Sequence, residues 1–196
     1  MSSLVKTALS AYAWEGASPA RMARSLNRML MSFSRAETFV TAFIAKLDLR
    51  HGRATYCSAG HPPTMLLRAG VAGADADDEA ASTEIEQLSA QSGVIGAFST
   101  MAYENGTFTF FPGDMLFMYT DGAIEARDAA GAFFGEERLR GELLSASAQG
   151  VSGLCGHVLS ALDAFTGSAL NDDIALVALR FDGLGSAAAA NGPAVE

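Results

Sequence analysis

Three acidic residues stand at the ends of two short apolar runs that are far apart in the chain. Asp121 follows the run 115–119, while Asp172 and Asp173 precede the run 174–179. A short run of this kind fits a buried β-strand, and a strand end is a rigid support for a side chain. If the two strands are antiparallel neighbours, the three carboxylates lie at one edge of a sheet. They would repel one another there unless a cation sat between them.

This set of donors suits a hard divalent cation. Oxygen ligands without histidine or cysteine favour Mg²⁺ or Mn²⁺ over Zn²⁺. A pair of such ions can bind the oxygens of a phosphate group and orient a nucleophile toward phosphorus. The pattern therefore makes Asp121, Asp172 and Asp173 candidate metal ligands. The alternative is that Thr120-Asp121-Gly122 is an ordinary turn and that the Asp pair is an ordinary strand start.

The other residues with chemical potential favour structural roles. His61 lies between Gly60 and two prolines, and we expect it to hold a loop by hydrogen bonding rather than to act as an acid or base. Cys57 and Cys155 are too far apart in sequence for a metal motif or a disulfide framework, and neither has the setting of a nucleophile. His157 is expected to be exposed or hydrogen-bonded rather than a ligand.

Two helices and a hairpin are predicted for the first part of the chain. Residues 2–15 have helical spacing, and Ser18-Pro19 signals a new helix because it pairs a capping residue with proline at the first helical position. Residues 39–58 predict an antiparallel hairpin. Its first strand, 39–47, is almost continuously apolar, so we expect a central strand that is covered on both faces.

The remaining pattern completes one domain with a tail. Further strands are predicted at 64–68, 85–88, 107–111, 115–119 and 174–179, and further helices at 136–144 and 151–165. Residues 69–81 lack apolar bulk and predict a flexible loop. From Gly183 onward the chain is Gly- and Ala-rich, which predicts a disordered tail. We therefore divide the chain into a domain at 1–182 and a tail at 183–196.

Composition excludes several classes of function. Apolar residues make up 49% and charged residues 18%, which is typical of a globular protein. The net charge of −9 argues against a nucleic-acid surface, which needs clustered Lys and Arg. The sequence has no apolar stretch of about 18 residues, so no membrane span is expected. Two scattered cysteines favour a reduced, cytoplasmic compartment.

Six short motifs, taken in chain order, give the sequence a family resemblance. They are Phe39-Val40-Thr41-Ala42-Phe43, Ser58-Ala59-Gly60-His61-Pro62-Pro63, Gly113-Asp114-Met115-Leu116, Tyr119-Thr120-Asp121-Gly122-Ala123-Ile124-Glu125-Ala126-Arg127, Phe134-Gly135-Glu136-Glu137-Arg138-Leu139 and Asp172-Asp173-Ile174-Ala175-Leu176-Val177. Each motif alone is weak. As a set they resemble the bacterial SpoIIE/RsbU-type serine/threonine phosphatases of the metal-dependent PPM (PP2C-like) class, over roughly residues 1–181.

This resemblance implies an α+β fold, a four-layer α-β-β-α sandwich of two antiparallel sheets flanked by helices. It implies a binuclear Mn²⁺ or Mg²⁺ centre between the sheets. Asp121 matches one metal ligand of the family and Asp172 a second, with Asp173 beside it, and Gly122 is expected to take part in cofactor binding. The implied substrate is a phosphoserine or phosphothreonine on a small anti-anti-sigma (STAS) protein, in a partner-switching pathway that controls transcription.

The sequence departs from the resembled family at its start. Family members carry an Asp-Val-Ser-Gly-His-Gly-like motif before the first long helix, and its Asp bridges both metals. Here Met1 to Lys6 look like the inside of that helix, so we expect the first strand and the first metal motif to be missing. Because two ions would lose their shared ligand, we expect weak or absent activity from these residues alone.

Alternatives to a protein phosphatase stay open. One is a phosphatase-like domain that binds a signalling partner without hydrolysis, and another is a phosphatase of small molecules. A homodimer is also kept open, whereas neither nucleic acid nor a membrane is expected as a partner.

Overall fold

The computed structural model describes residues 2–33, 39–70, 83–89, 92–167 and 172–183. A short 3-10 helix at Ser147–Gln149 joins the fourth and fifth helices. The other elements, in chain order, are α1 (Ser2–Trp14), α2 (Pro19–Phe33), β1 (Ala42–Asp48), β2 (Arg53–Ala59), β3 (Thr64–Arg68), β4 (Glu84–Leu88), β5 (Gly106–Thr109), β6 (Met115–Tyr119), α3 (Gly122–Glu125), α4 (Gly135–Ala146), α5 (Val151–Thr166) and β7 (Leu176–Arg180).

The strands form two antiparallel sheets. The first has the order β1-β2-β5 and the second the order β4-β3-β6-β7. Side chains alternate between the two faces of each strand, so the inner strands contribute to two cores at once. In β3, Leu66 packs between the sheets, whereas Met65 and Leu67 pack against the helices on the other face.

Three apolar cores separate four layers. The first joins α2 to the first sheet through Leu26, Leu30 and Cys57. The second fills the space between the sheets, and the third lies between the second sheet and α4 and α5, where it includes Leu139 and Leu154. The predicted fold class, two antiparallel sheets flanked by helices, is confirmed.

The two apolar runs that predicted central strands have different positions in the sheets. Strand β6 is flanked by β3 and β7 and is buried over most of its length, as predicted. The prediction of a covered central strand at 39–47 is wrong, because β1 pairs only with β2 among the described strands and several of its residues are exposed. Phe39 is 61% exposed. A continuous apolar run indicates apolar neighbours but does not show whether a strand pairs along both edges.

The predicted hairpin at 39–58 is confirmed, with Ala42 opposite Ala59 and Asp48 opposite Arg53. Asp48 closes its turn by accepting hydrogen bonds from the backbone N–H groups of Arg50 and His51. Gly52 has a φ of +59°, and a Cβ there would lie 2.7 Å from the carbonyl oxygen of Phe110. This position therefore requires glycine both for its conformation and for the close approach of the backbone.

The other predicted helices and strands are present, and their ends differ by one or two residues, whereas α3 and the 3-10 helix were not predicted. The predicted loop at 69–81 lies almost wholly outside the described residues, and so does the predicted tail beyond Gly183. Within the described part of the chain, no helix has both the length and the apolar character needed to cross a bilayer.

A buried ion pair joins β3 to the start of β6. The carboxylate of Asp114, which is 3% exposed, accepts a hydrogen bond from Arg68 Nη1 at 3.0 Å. It also accepts hydrogen bonds from the backbone N–H groups of Ala69 and Phe111. The Arg68 guanidinium binds Glu86 at 2.6 Å as well. Because these hydrogen bonds compensate the Asp114 charge, the carboxylate can be buried at low cost in free energy. The network joins the residue before β6 to the end of β3.

We expect the Asp114→Ala variant to have a markedly lower free energy of unfolding than the unmodified chain. The substitution leaves two backbone donors and part of the Arg68 fork unpaired, and removing one partner of a buried pair costs about 3 kcal/mol or more. Denaturant unfolding followed by circular dichroism measures the change. Asp163→Ala, at an exposed position on α5, is the matched control and should stay within about 0.5 kcal/mol. Equal stability of the two variants would contradict the assigned role.

Candidate active site

The two acidic segments meet at one edge of the second sheet. Strands β6 and β7 are antiparallel neighbours, with Tyr119 opposite Leu176, so the expectation that their acidic ends lie together is confirmed. Beyond the paired residues, the Thr120 N–H donates to the Ala175 carbonyl at 3.1 Å and the Thr120 hydroxyl donates to the Asp173 carbonyl at 3.2 Å. The segment that carries Asp121 is thus tied directly to the segment that carries Asp172 and Asp173.

Position 122 requires a glycine because the two acidic segments approach each other closely there. A Cβ at this position would lie 2.7 Å from the carbonyl oxygen of Asp173 and 3.4 Å from the Cβ of Asp172. The backbone of Gly122 is buried at the first position of α3. Its structural role is therefore to let the helix start touch the strand that precedes β7, whereas its predicted part in cofactor binding stays a prediction.

The three carboxyl groups share an edge but do not converge on one point. Asp121 Oδ1 accepts a hydrogen bond from the Gly122 N–H at 3.1 Å, and Asp172 Oδ1 accepts one from the Asp173 N–H at 2.7 Å. All three side chains are exposed. Among the described residues, no group of three or more His, Cys, Asp or Glu side chains is placed to hold a metal ion. The expected crowding of three carboxylates is therefore not observed among the described residues.

A cavity of about 240 Å³ opens beside Asp121. One wall is the loop between β2 and β3, and the other is formed by the end of β6 and the start of α3 and α4. The lining residues are Thr41, Gly60, His61, Pro62, Pro63, Thr120, Asp121, Ile124 and Glu136. Sequence reasoning did not single out Thr41 or Glu136 as site residues, although both lie inside motifs that carry the family resemblance. The cavity thus holds two carboxylates and a histidine within a partly apolar wall.

His61 has the loop-holding hydrogen bond that its sequence setting predicted. Its Nδ1 donates to the carbonyl oxygen of Pro62 at 2.8 Å, and its ring packs on Phe43 with 6.2 Å between the ring centroids. The bond keeps the proton on Nδ1 in the neutral ring. The side chain therefore orders one wall of the cavity.

The remaining cysteine and histidine residues do not form a competing site in the described part of the chain. Cys57 and Cys155 are free thiols, and burial raises the pKa of each above its ordinary value. A thiol with a raised pKa is a poor nucleophile. His157 Nε2, on α5, lies 2.7 Å from Glu142 Oε2, on α4, which confirms the prediction that this histidine is hydrogen-bonded.

Solved structures with the same architecture include phosphatase domains. The SiaA-PP2C domain of Pseudomonas aeruginosa matches with a TM-score of 0.74 and 21% identity, over 91% of this chain and 68% of that one. The structure of RsbX in complex with magnesium matches with a TM-score of 0.58 and 19% identity, over 90% of this chain and 70% of that one. These similarities show that the chain has the PP2C-like phosphatase fold.

The family follows from the sequence match. The family model described as Stage II sporulation protein E (SpoIIE) matches residues 1–182, and the chain belongs to this family, as the motifs predicted. The phosphoserine phosphatase RsbU of Bacillus subtilis is 26% identical over 180 residues, which cover 91% of this chain and 50% of RsbU. The chain spans between 20% and 50% of the length of the curated relatives that it matches.

We expect Gly122→Ala to lower the free energy of unfolding by about 1–3 kcal/mol, because the new methyl group has to displace the backbone of Asp173. Thermal unfolding measures this change, and amide chemical shifts of residues 172–176 report the displaced segment. Gly141→Ala is the matched control, since a Cβ at Gly141 meets no atom within 4 Å. That control should raise stability by about 0.5–1 kcal/mol, because alanine favours a helix interior. Unchanged stability of Gly122→Ala would show that the close approach does not exist in solution.

Proposed function

We propose that this domain is a metal-dependent protein serine/threonine phosphatase. The observation that carries the proposal is the junction of Asp121 with the 172–173 segment, beside a cavity, in a chain of the SpoIIE family. The junction offers oxygen donors at a rigid sheet edge, and the cavity is large enough for a phosphorylated side chain. Asp121 and Glu136 give the cavity its carboxylates, while the two prolines and Ile124 form the apolar part of its wall.

Mn²⁺ or Mg²⁺ is the proposed cofactor, with Asp121 and Asp172 as ligands and Asp173 and Gly122 beside them. The donors fit such an ion because they are oxygens on exposed carboxylates that have no cationic partner within the described residues. When bound, the ions neutralise phosphate charge and lower the pKa of water. A single carboxylate from each segment is a small set, so water, phosphate or further carboxylates have to complete the coordination.

The proposed substrate is a phosphorylated STAS-domain protein in a partner-switching pathway. The support is the similarity to RsbU, a phosphoserine phosphatase, together with the motifs that the chain shares with RsbU-type proteins. A protein substrate also suits the setting of the cavity, which is open and lies at the edge of two sheets. A cytoplasmic location is part of this proposal, because the free thiols of Cys57 and Cys155 suit a reduced compartment.

A second candidate function is a phosphatase-like domain that binds a signalling partner without hydrolysis. The specific observation in its favour is that the described residues hold no group of three metal-binding side chains. Such a domain would keep the fold and the acidic edge but would show no turnover.

Calorimetric titration with Mn²⁺ tests the metal site directly. We expect saturable binding by the chain and a loss of affinity of about 10-fold or more in Asp121→Asn and in Asp172→Asn, because each substitution removes a charged ligand. Asp163→Asn is the matched control and should bind as the unmodified chain does. If all four proteins bind Mn²⁺ equally, the acidic edge is not a metal site.

Hydrolysis of a phosphoserine peptide with Mn²⁺ separates the two functions. A chain that binds Mn²⁺ at Asp121 and releases inorganic phosphate is an enzyme as it stands. A chain that binds Mn²⁺ without turnover supports the binding function, unless a version extended upstream binds two ions and gains activity. Release of phosphate that is unaffected by Asp121→Asn would contradict both assignments.

A further inference from the structure

A long depression lies at the opposite end of β6 from the candidate active site. One cavity of about 430 Å³ is bounded by the β1–β2 turn at 49–53, by the segment 109–112 and by the chain after β7. A second cavity of about 610 Å³ shares Arg53 and Thr109 with the first. We call the two together the distal furrow. The five residues of β6 separate it from Asp121 by about 15 Å, since a strand rises about 3.3 Å per residue.

The first cavity of the distal furrow has apolar walls. Phe110 and Phe181 stack at 4.1 Å between centroids and form its base. On its rim, Leu49 is 59% exposed and Phe111 is 63% exposed. Aromatic side chains at the base of a pocket with further apolar groups on its rim are the surroundings in which a buried anchor residue of a partner gains most of its binding energy.

The rim also carries positive charge that the described residues do not fully neutralise. Arg50 and Arg53 line the first cavity, both are exposed, and neither forms an ion pair with any described residue. Of the nearby acidic groups, Glu86 and Asp114 pair with Arg68, and Asp182 pairs with Arg180. Asp48 lies 2.7 Å from His51 and opposite Arg53 in the hairpin, so its single negative charge offsets only one of the two arginines. Neither guanidinium group is held in an ion pair within the described residues, so both are available to a ligand.

This arrangement contrasts with the charge of the whole chain. The sequence has 22 acidic and 13 basic residues, so most of its surface repels an acidic ligand. Two unpaired arginines beside an apolar pocket create a local attraction within that acidic surface. Arginine is suited to the task because its planar fork binds a carboxylate through two parallel hydrogen bonds.

We propose that the distal furrow is a docking surface for an acidic segment of a partner protein that inserts one large apolar side chain. The apolar side chain fills the cavity above Phe110 and Phe181, and carboxylates on either side of it bind Arg50 and Arg53. The segment is a peptide rather than a membrane, because the site is concave and the chain as a whole repels an anionic surface. Docking here leaves the cavity beside Asp121 open, so one partner can engage both ends of β6.

The test uses the full chain and a fluorescent probe peptide that has two acidic residues on each side of a Phe-Leu pair. Fluorescence anisotropy gives the dissociation constant at low and at moderate salt. We expect saturable binding that weakens with salt, and a loss of affinity of about tenfold in Arg50→Glu and in Arg53→Glu, because charge reversal turns attraction into repulsion. Phe111→Ser should also weaken binding. Arg28→Glu, at an exposed position on α2, is the matched control and should bind the probe as the unmodified chain does.

Each of the other outcomes overturns the proposal. No binding at about 1 mM peptide, or equal binding by Arg28→Glu and Arg53→Glu, rules out this surface. If a probe with lysines in place of the acidic residues binds as tightly as the acidic probe, the two arginines do not select an acidic ligand. A concentration-dependent dimer that Arg53→Glu abolishes in sedimentation identifies a second copy as the occupant, and binding of anionic vesicles instead of the peptide identifies a membrane. Displaced NMR signals from residues 184–196 on peptide addition identify this chain's own C-terminal segment. None of these results depends on phosphatase activity.

Discussion

The antiparallel pairing of β6 with β7 is the interaction on which the candidate site depends. It brings together residues that are about fifty positions apart in the chain and holds them by backbone hydrogen bonds that continue past the strands through Thr120. The close contact of Gly122 with the Asp173 carbonyl then sets the distance between the two acidic segments. A side chain at that position would push the two segments apart. The spacing of the candidate site therefore depends on Gly122.

The position of Asp121 at the end of β6 also depends on the start of this strand, which is held in place by hydrogen bonds. The Asp114 carboxylate, Arg68 and two backbone N–H groups form a buried network at the start of the strand. The strand also lies between β3 and β7 and contributes to the core on both of its faces. A strand held in this way has little freedom to shift, so the backbone of a residue at its end is also held in a fixed position.

The two ends of β6 differ in electrostatic character. At one end, exposed carboxylates stand beside a small cavity, which suits cations and a phosphate that they bind. At the other end, Arg50 and Arg53 lie beside an apolar cavity in a chain with a net charge of −9. The same strand thus separates the proposed metal-binding edge from the proposed docking surface.

The sequence by itself determined most of the elements and the class of fold. The four longer helices were predictable from apolar spacing, and β6 from a short apolar run bounded by Pro112 and Gly122, because these patterns reflect local conformation and burial. The motifs likewise pointed to the family. The edge position of β1 among the described strands was not predictable, since pairing along a strand depends on which distant segment is available rather than on the strand's own residues.

Only the tertiary structure decided how the site residues are arranged. It placed Glu136 and Thr41 at the cavity with Asp121, although they come from separate parts of the chain. It also gave the carboxylates of Asp121 and Asp172 a hydrogen bond each to the next backbone N–H, and within the described residues the shared edge holds no group of three metal-binding side chains. The physical reason is that residue types and spacing specify which groups reach an edge, whereas the direction of each side chain depends on hydrogen bonds and packing that form only in the folded chain.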